Sequence, residues 1–122
     1  YIVEQIINQS GQSLTFEPQT KNLIKPEQTY LMTSILSDVV TKGTGKAAQV
    51  SGIELAGKTG TTNDNIDAWF CGYSPSIQTI IWFGKDNNTP MRKSETGGKI
   101  AAPVFSYFYK NQTFSHYQQF LK

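Results

Sequence analysis

Hydrophobic positions along this chain alternate between two periods, and the switches mark its elements. Residues 1–7 are rich in β-branched side chains, Asn8-Gln9-Ser10-Gly11-Gln12 supplies turn chemistry, and 14–16 resume an apolar/polar alternation. This predicts a β-hairpin. After a connector over 18–25 the period lengthens: Met32, Ile35, Leu36, Val39 and Val40 fall at i, i+3, i+4, i+7 and i+8, one face of a helix. Pro26 suits its first position, Glu27 its positive end, and Gly43 after Lys42 the place of a left-handed C-cap. Residues 44–50 read as a glycine-led turn with room for one short helical turn.

Strand signals then return, as aromatic and β-branched runs. A strand is expected over 53–62, a loop at Asn63-Asp64-Asn65, and an antiparallel pair over 67–73 and 78–83, split by Ser74-Pro75-Ser76. Two polar loops, 86–91 and 93–99, lead to a helix over 100–109. It tolerates Pro103 in its first turn and has Val104, Phe105 and Phe108 as its buried stripe. Phe114, Tyr117 and Leu121 leave space for a short docked helix in the tail. Hairpin, helix, three antiparallel strands and helix give an α+β class, with helices packed on an antiparallel β-sheet that reads as part of a larger one.

Composition narrows the chemistry. At 122 residues, 38% hydrophobic and 16% charged, the chain is one globular domain or a piece of one. A net charge of +2 without a basic block gives no electrostatic footprint for nucleic acid. One cysteine, Cys71, and one histidine, His116, exclude an internal disulfide and argue against a zinc site; no cofactor is implied. Cys71 itself reads as a small buried hydrophobe. The longest apolar run, 80–83, is far too short to cross a bilayer. With no initiating Met and no signal-like start, the chain is expected to begin in mid-protein.

The chemistry concentrates in Leu55-Ala56-Gly57-Lys58-Thr59-Gly60-Thr61-Thr62. Gly57 and Gly60 allow another backbone or a ligand to approach closely. Lys58 with Thr59 and Thr61 offers a point charge and two hydroxyls, a set suited to a carboxylate or a phosphate. Residues 52–59 match the P-loop pattern G-x-x-x-x-G-K-[ST] letter for letter. A P-loop, however, needs a phosphate-cradling turn and a helix straight after Lys-Thr. Here Ile53-Glu54-Leu55-Ala56 reads as strand, and Gly60-Thr61-Thr62-Asn63 starts helices poorly.

Lys58-Thr59-Gly60 is also one of three motifs, with S-x-x-K and S-D-N, of serine acyltransferases. Around it, Val39-Val40 with Gly43-Thr44-Gly45-Lys46-Ala47, then Asp67-Ala68-Trp69-Phe70 with Gly72-Tyr73-Ser74-Pro75, stand in order. Trp82 with Gly84, Asp86-Asn87-Asn88-Thr89-Pro90-Met91, and Thr96-Gly97-Gly98 with Ala101-Ala102-Pro103 follow. Together these resemble the C-terminal part of the transpeptidase domain of class A, bifunctional penicillin-binding proteins, over residues 1–110. The resemblance departs at Cys71, where an aliphatic residue is usual, and in the 111–122 tail.

The resemblance implies a D,D-transpeptidase that cross-links peptidoglycan stem peptides through an acyl-serine intermediate and is trapped by β-lactams. Carried over by position, Lys58 would supply positive potential and assist proton transfer. The Thr59 and Thr61 hydroxyls would bind the terminal carboxylate of the D-Ala-D-Ala end or of the antibiotic. The Thr61 backbone N–H would be an oxyanion-hole donor, and Gly60 would leave room for ligand along the strand. No serine of the chain has Lys three residues later or Asn two later. The nucleophile is therefore expected upstream in the same protein, with a glycosyltransferase domain and an inner-membrane anchor, and the chain alone is expected to be inactive. The catalytic domain would lie on the periplasmic side. A β-lactamase or D,D-carboxypeptidase of the same superfamily, and a non-catalytic peptidoglycan- or partner-binding module, remain as alternatives, and a nucleotide binder as a distant one.

Overall fold

The computed structural model describes residues 3–17, 21–111 and 120; the helix expected around Phe114, Tyr117 and Leu121 lies outside the described residues. Two antiparallel sheets form. In the first, β1 (Gln5–Ile7) pairs with β2 (Ser13–Thr15) in the register Ile6↔Leu14. The Asn8 side-chain oxygen accepts from the Ser10 and Gln12 N–H groups, and Gly11 supplies the positive φ that closes the turn. Ile6, Ile7 and Leu14 are all exposed.

The second sheet carries the site. Its strands β3 (Ala56–Thr61), β4 (Asp67–Tyr73) and β5 (Gln78–Gly84) lie in sequence order, all antiparallel. Strand β3 starts later than the residue 53 that the pattern predicts. Gly52 takes φ +80° and the Ile53 N–H turns back to the Val50 carbonyl, so the chain turns before it can pair.

Burial along β4 separates the two faces: Ala68, Phe70 and Gly72 are buried, while Trp69 and Cys71 are exposed. Directly opposed residues share a face. Gly57, Thr59 and Thr61 of β3 therefore lie on the Phe70 face, and Lys58 and Gly60 lie with Cys71 and Trp69. On the Phe70 face sit a π-turn (Gly97–Ala101) and the helix that continues it, here called α2 (Ala102–Lys110). Phe70 meets the Phe105 ring at 4.7 Å, Phe105 meets Tyr109 at 4.7 Å, and the Tyr109 hydroxyl donates to the Ile77 carbonyl at 2.6 Å. Val40, Ala48, Val50 and Leu55 complete this core. Val104, predicted to be buried, is exposed; Ala102, Phe105, Ser106 and Tyr109, spaced by three and four residues, form the buried face instead.

Helix α1 (Pro26–Thr41) has Pro26 at its first position, and its Gln28 side chain accepts from the Lys25 N–H. It lies against the start of β3: Ser37 Oγ donates to the Leu55 carbonyl and the Thr33 hydroxyl meets the Tyr73 hydroxyl at 2.9 Å. Only Val40 of the predicted stripe is fully buried; Leu36 and Val39 are half-buried, and Met32 and Ile35 are exposed. Gly43 does not take the expected left-handed conformation, since its φ is not positive. Its role is close contact: a Cβ there would lie 2.9 Å from the Val39 Cα, while the Gly43 and Gly45 N–H groups both reach the Val39 carbonyl. A 3-10 turn (Lys46–Ala48) follows, as the sequence reading allows. No helix among the described residues is long and apolar enough to cross a membrane.

Candidate functional site

Strand β3 is the edge of its sheet, and its hydrogen-bonding parity decides what that edge offers. The Thr62 N–H donates to the Asp67 carbonyl on β4. In an antiparallel strand N–H and C=O of one residue point the same way and alternate along the chain. The even residues 58, 60 and 62 therefore address β4, while Gly57, Thr59 and Thr61 direct their backbone groups to the outer edge. Lys58 provides an independent check: its Nζ curls round this edge to the Thr59 carbonyl at 2.9 Å and the Thr59 hydroxyl at 3.4 Å. No strand pairs with β3 on that side among the described residues.

Each candidate residue is thus placed by its strand. Lys58 is exposed, and no carboxylate pairs with it among the described residues, leaving its charge available to an anion. Thr59 is half-buried, with its hydroxyl 3.0 Å from that of Thr44. Thr61 is exposed at its backbone edge while its hydroxyl accepts from the Gly97 N–H at 3.2 Å. Gly60 lies on the Trp69 face, where a Cβ would come within 3.2 Å of the Trp69 Cβ. Lys58 lies inside a strand and only a three-residue 3-10 turn (Asn63–Asn65) follows, so the phosphate-loop geometry is not formed.

Three supporting groups stand in the sequence as motif positions to which no role in the site is given. Thr44 brings a hydroxyl to Thr59 from the turn after α1. Gly97 lies so close over the sheet that a Cβ would overlap the Trp69 carbonyl and the Gly60 backbone. Asp67, read as the start of a strand, locks the far end of β3: its carboxylate accepts from the Thr62 hydroxyl at 3.2 Å and from Trp82 Nε1 at 2.9 Å. The loop that carries Gly97 into place is pinned by Asn65, whose side-chain amide donates to the Arg92 and Glu95 carbonyls. Asn65 and Asp64 both take φ of 58°, a left-handed conformation that Asn and Asp tolerate. The signal for Gly97 was present in the Gly97-Gly98 pair, which reads equally well as loop.

Cys71, expected to be buried, is exposed. It stands directly opposite Lys58 and Ile80, on the sheet face that Trp69 and Trp82 share. The two indole rings meet at 5.9 Å.

Comparison with known proteins shows the family and the fold. The family model described as the penicillin binding protein transpeptidase domain matches residues 1–110. Penicillin-binding protein 1A of Neisseria lactamica is 38% identical over 112 residues, covering 86% of this chain and 14% of that protein. The Pseudomonas aeruginosa protein of the same name is 43% identical over 93 residues, covering 75% of this chain and 11% of its own length. The chain therefore spans about one-seventh or less of these relatives. Among solved structures, penicillin-binding protein 1A from Haemophilus influenzae superposes with a TM-score of 0.67 at 25% identity, over 81% of this chain and 16% of that one.

Proposed function

The chain belongs to the penicillin-binding protein transpeptidase family, and from this premise we propose that it supplies the substrate-binding strand of a peptidoglycan D,D-transpeptidase. The observation that carries the proposal is the outer edge of β3, where the Thr61 N–H and the Thr59 carbonyl face outward beside Lys58 Nζ. An extended D-Ala-D-Ala end would add to this edge as a short strand, its backbone pairing with Thr59 and Thr61. The Thr59 and Thr61 hydroxyls would hold its terminal carboxylate, with Lys58 supplying the countercharge. Gly60 would keep the approach open.

In the reaction, a serine oxygen attacks the carbonyl of the penultimate D-Ala. The carbonyl oxygen gains negative charge that the Thr61 N–H would stabilise; losing such a donor typically costs ~2.7–4 kcal/mol of barrier. D-Ala leaves, and an amine of a second stem peptide takes the acyl group and regenerates the serine. Lys58 would lower the cost of moving the serine proton by holding positive charge beside the proton path. With no serine in an S-x-x-K or S-x-N setting in this sequence, the nucleophile would come from an upstream part of the same protein. That parent would carry the membrane anchor and present this domain, residues 1–110, on the periplasmic side. The chain alone would have no turnover, and penicillins would acylate only the complete domain.

The test is covalent labelling with a tagged penicillin, read by intact mass, on this chain, on the longer parent and on the parent with Lys58→Ala. The expected result is no label on the chain alone and rapid labelling of the parent. Lys58→Ala is expected to slow it by roughly 10²–10⁴-fold, the usual worth of assisted proton transfer. A parent that never labels overturns the transpeptidase reading in favour of a non-catalytic binding module. A chain that labels by itself places a nucleophile among its own residues and overturns the role given to β3.

A further inference from the structure

The tail beyond α2 has no counterpart in the family resemblance, yet one of its residues is seated against the fold. The Phe120 N–H donates to Glu54 Oε2 at 2.7 Å, a short charge-assisted bond. Its ring meets the Tyr73 ring at 5.6 Å with the planes 73° apart, the edge-to-face arrangement that aromatic pairs favour. Phe120 is half-buried and forms part of the wall of a groove with Tyr30 and Thr33 of α1, Tyr73 at the end of β4 and Pro75 just past it.

We propose that Phe120 acts as an anchor that clamps the start of β3 between α1 and β4. Three contacts converge there. Thr33 ties α1 to Tyr73, Ser37 ties α1 to the Leu55 carbonyl, and Phe120 ties Tyr73 to Glu54. Glu54 and Leu55 are the two residues that lead into Ala56, where β3 begins. Any drift of that start propagates along the strand, because one backbone carries Ala56 through Thr61 as a unit. The anchor is the chain's own: the Glu54 carboxylate accepts from the Phe120 N–H, and the Phe120 ring packs against that of Tyr73. The clamp acts on the geometry of the strand without touching its outer edge, and it stands whether or not the strand serves transpeptidation.

Photo-crosslinking tests the placement, with benzoylphenylalanine at position 120, in this chain and in the longer parent. The expected crosslinks are intramolecular and fall on peptides containing Tyr30, Thr33, Glu54 or Tyr73. Intermolecular crosslinks, or crosslinks to other peptides, overturn the proposal. Hydrogen exchange tests the clamp in Phe120→Ala and, with the ring kept and the carboxylate replaced, in Glu54→Gln. Amides of residues 53–58 are expected to exchange about tenfold faster in Phe120→Ala and less so in Glu54→Gln, with the β4–β5 ladder unchanged. Unchanged exchange at 53–58 in both variants overturns the clamp. If Phe120→Ala does not fold, Glu54→Gln and the crosslinks decide.

Discussion

Thr61 is asked to do two things at once: its backbone N–H faces the outer edge of β3 while its hydroxyl is held from behind by Gly97. The second arrangement depends on a glycine, because a side chain at 97 would collide with the Trp69 carbonyl and the Gly60 backbone. Gly97→Ala is therefore expected to lower stability by ~1–3 kcal/mol, the usual cost of overpacking, measured as a urea-midpoint shift. Thr44 makes the complementary case. Thr44→Val keeps the shape and removes the hydroxyl paired with Thr59. The expected outcome is an unchanged melting temperature with penicillin labelling of the parent slowed about 5- to 10-fold, the worth of one hydrogen bond of ~1–1.4 kcal/mol; unchanged labelling would remove Thr44 from the site. The proposed site residues Lys58, Thr59 and Thr61 stand out in the sequence because they are neighbours on one strand. Thr44 and Gly97 stand in the sequence only as motif positions without a role, since their contacts with β3 are made by the turn and the π-turn that carry them there.

The elements were legible where period and burial agree. Strand β4 has the bounds its pattern predicts and β5 ends within one residue of its own, although the apolar run 68–71 does not show that β4 alternates buried and exposed. Both helices lie where the pattern predicts, but their buried faces differ from it for physical reasons. On α2 the face that meets the sheet runs through Ala102, Phe105 and Tyr109 at spacings of three and four, and Val104 lies off it. On α1 the stripe is continuous in sequence, yet the described structure covers only its C-terminal third, leaving Met32 and Ile35 exposed at 56% and 61%. Periodicity reports which side a helix can bury, not what is present to cover it. The fully covered positions should accordingly dominate stability. Phe105→Ala, at 0% exposure between Phe70 and Tyr109, is expected to cost ~3–5 kcal/mol by denaturant unfolding. Ile35→Ala on α1 is expected to cost well under ~1 kcal/mol, as exposed substitutions do.

For the molecule as a whole, the decisive feature is the sheet face opposite α2. Trp69, Cys71, Ile80 and Trp82 form an exposed, largely apolar surface, with Ile80 and Trp82 open at 54% and 50%. The described structure also leaves both outer edges of the β3–β4–β5 sheet without a paired strand. Contiguous apolar surface and open strand edges both favour association in water. Under the proposed function the upstream part of the parent would cover this face, which explains why a sequence of ordinary composition folds with its aromatic residues outward. Isolated, the 122-residue chain is expected to self-associate with rising concentration in sedimentation velocity, with or without a reductant, since apolar contact and not the Cys71 thiol drives it. Ile80→Lys, which places a charge at the centre of the face and leaves the Trp82–Asp67 bond intact, is expected to shift the chain toward monomer. The parent, with the face covered, should instead lose stability on the same substitution, because the lysine would then be buried without a partner. A chain that stays monomeric at every concentration would mean that its own residues cover the face, and the need for an upstream partner there would disappear.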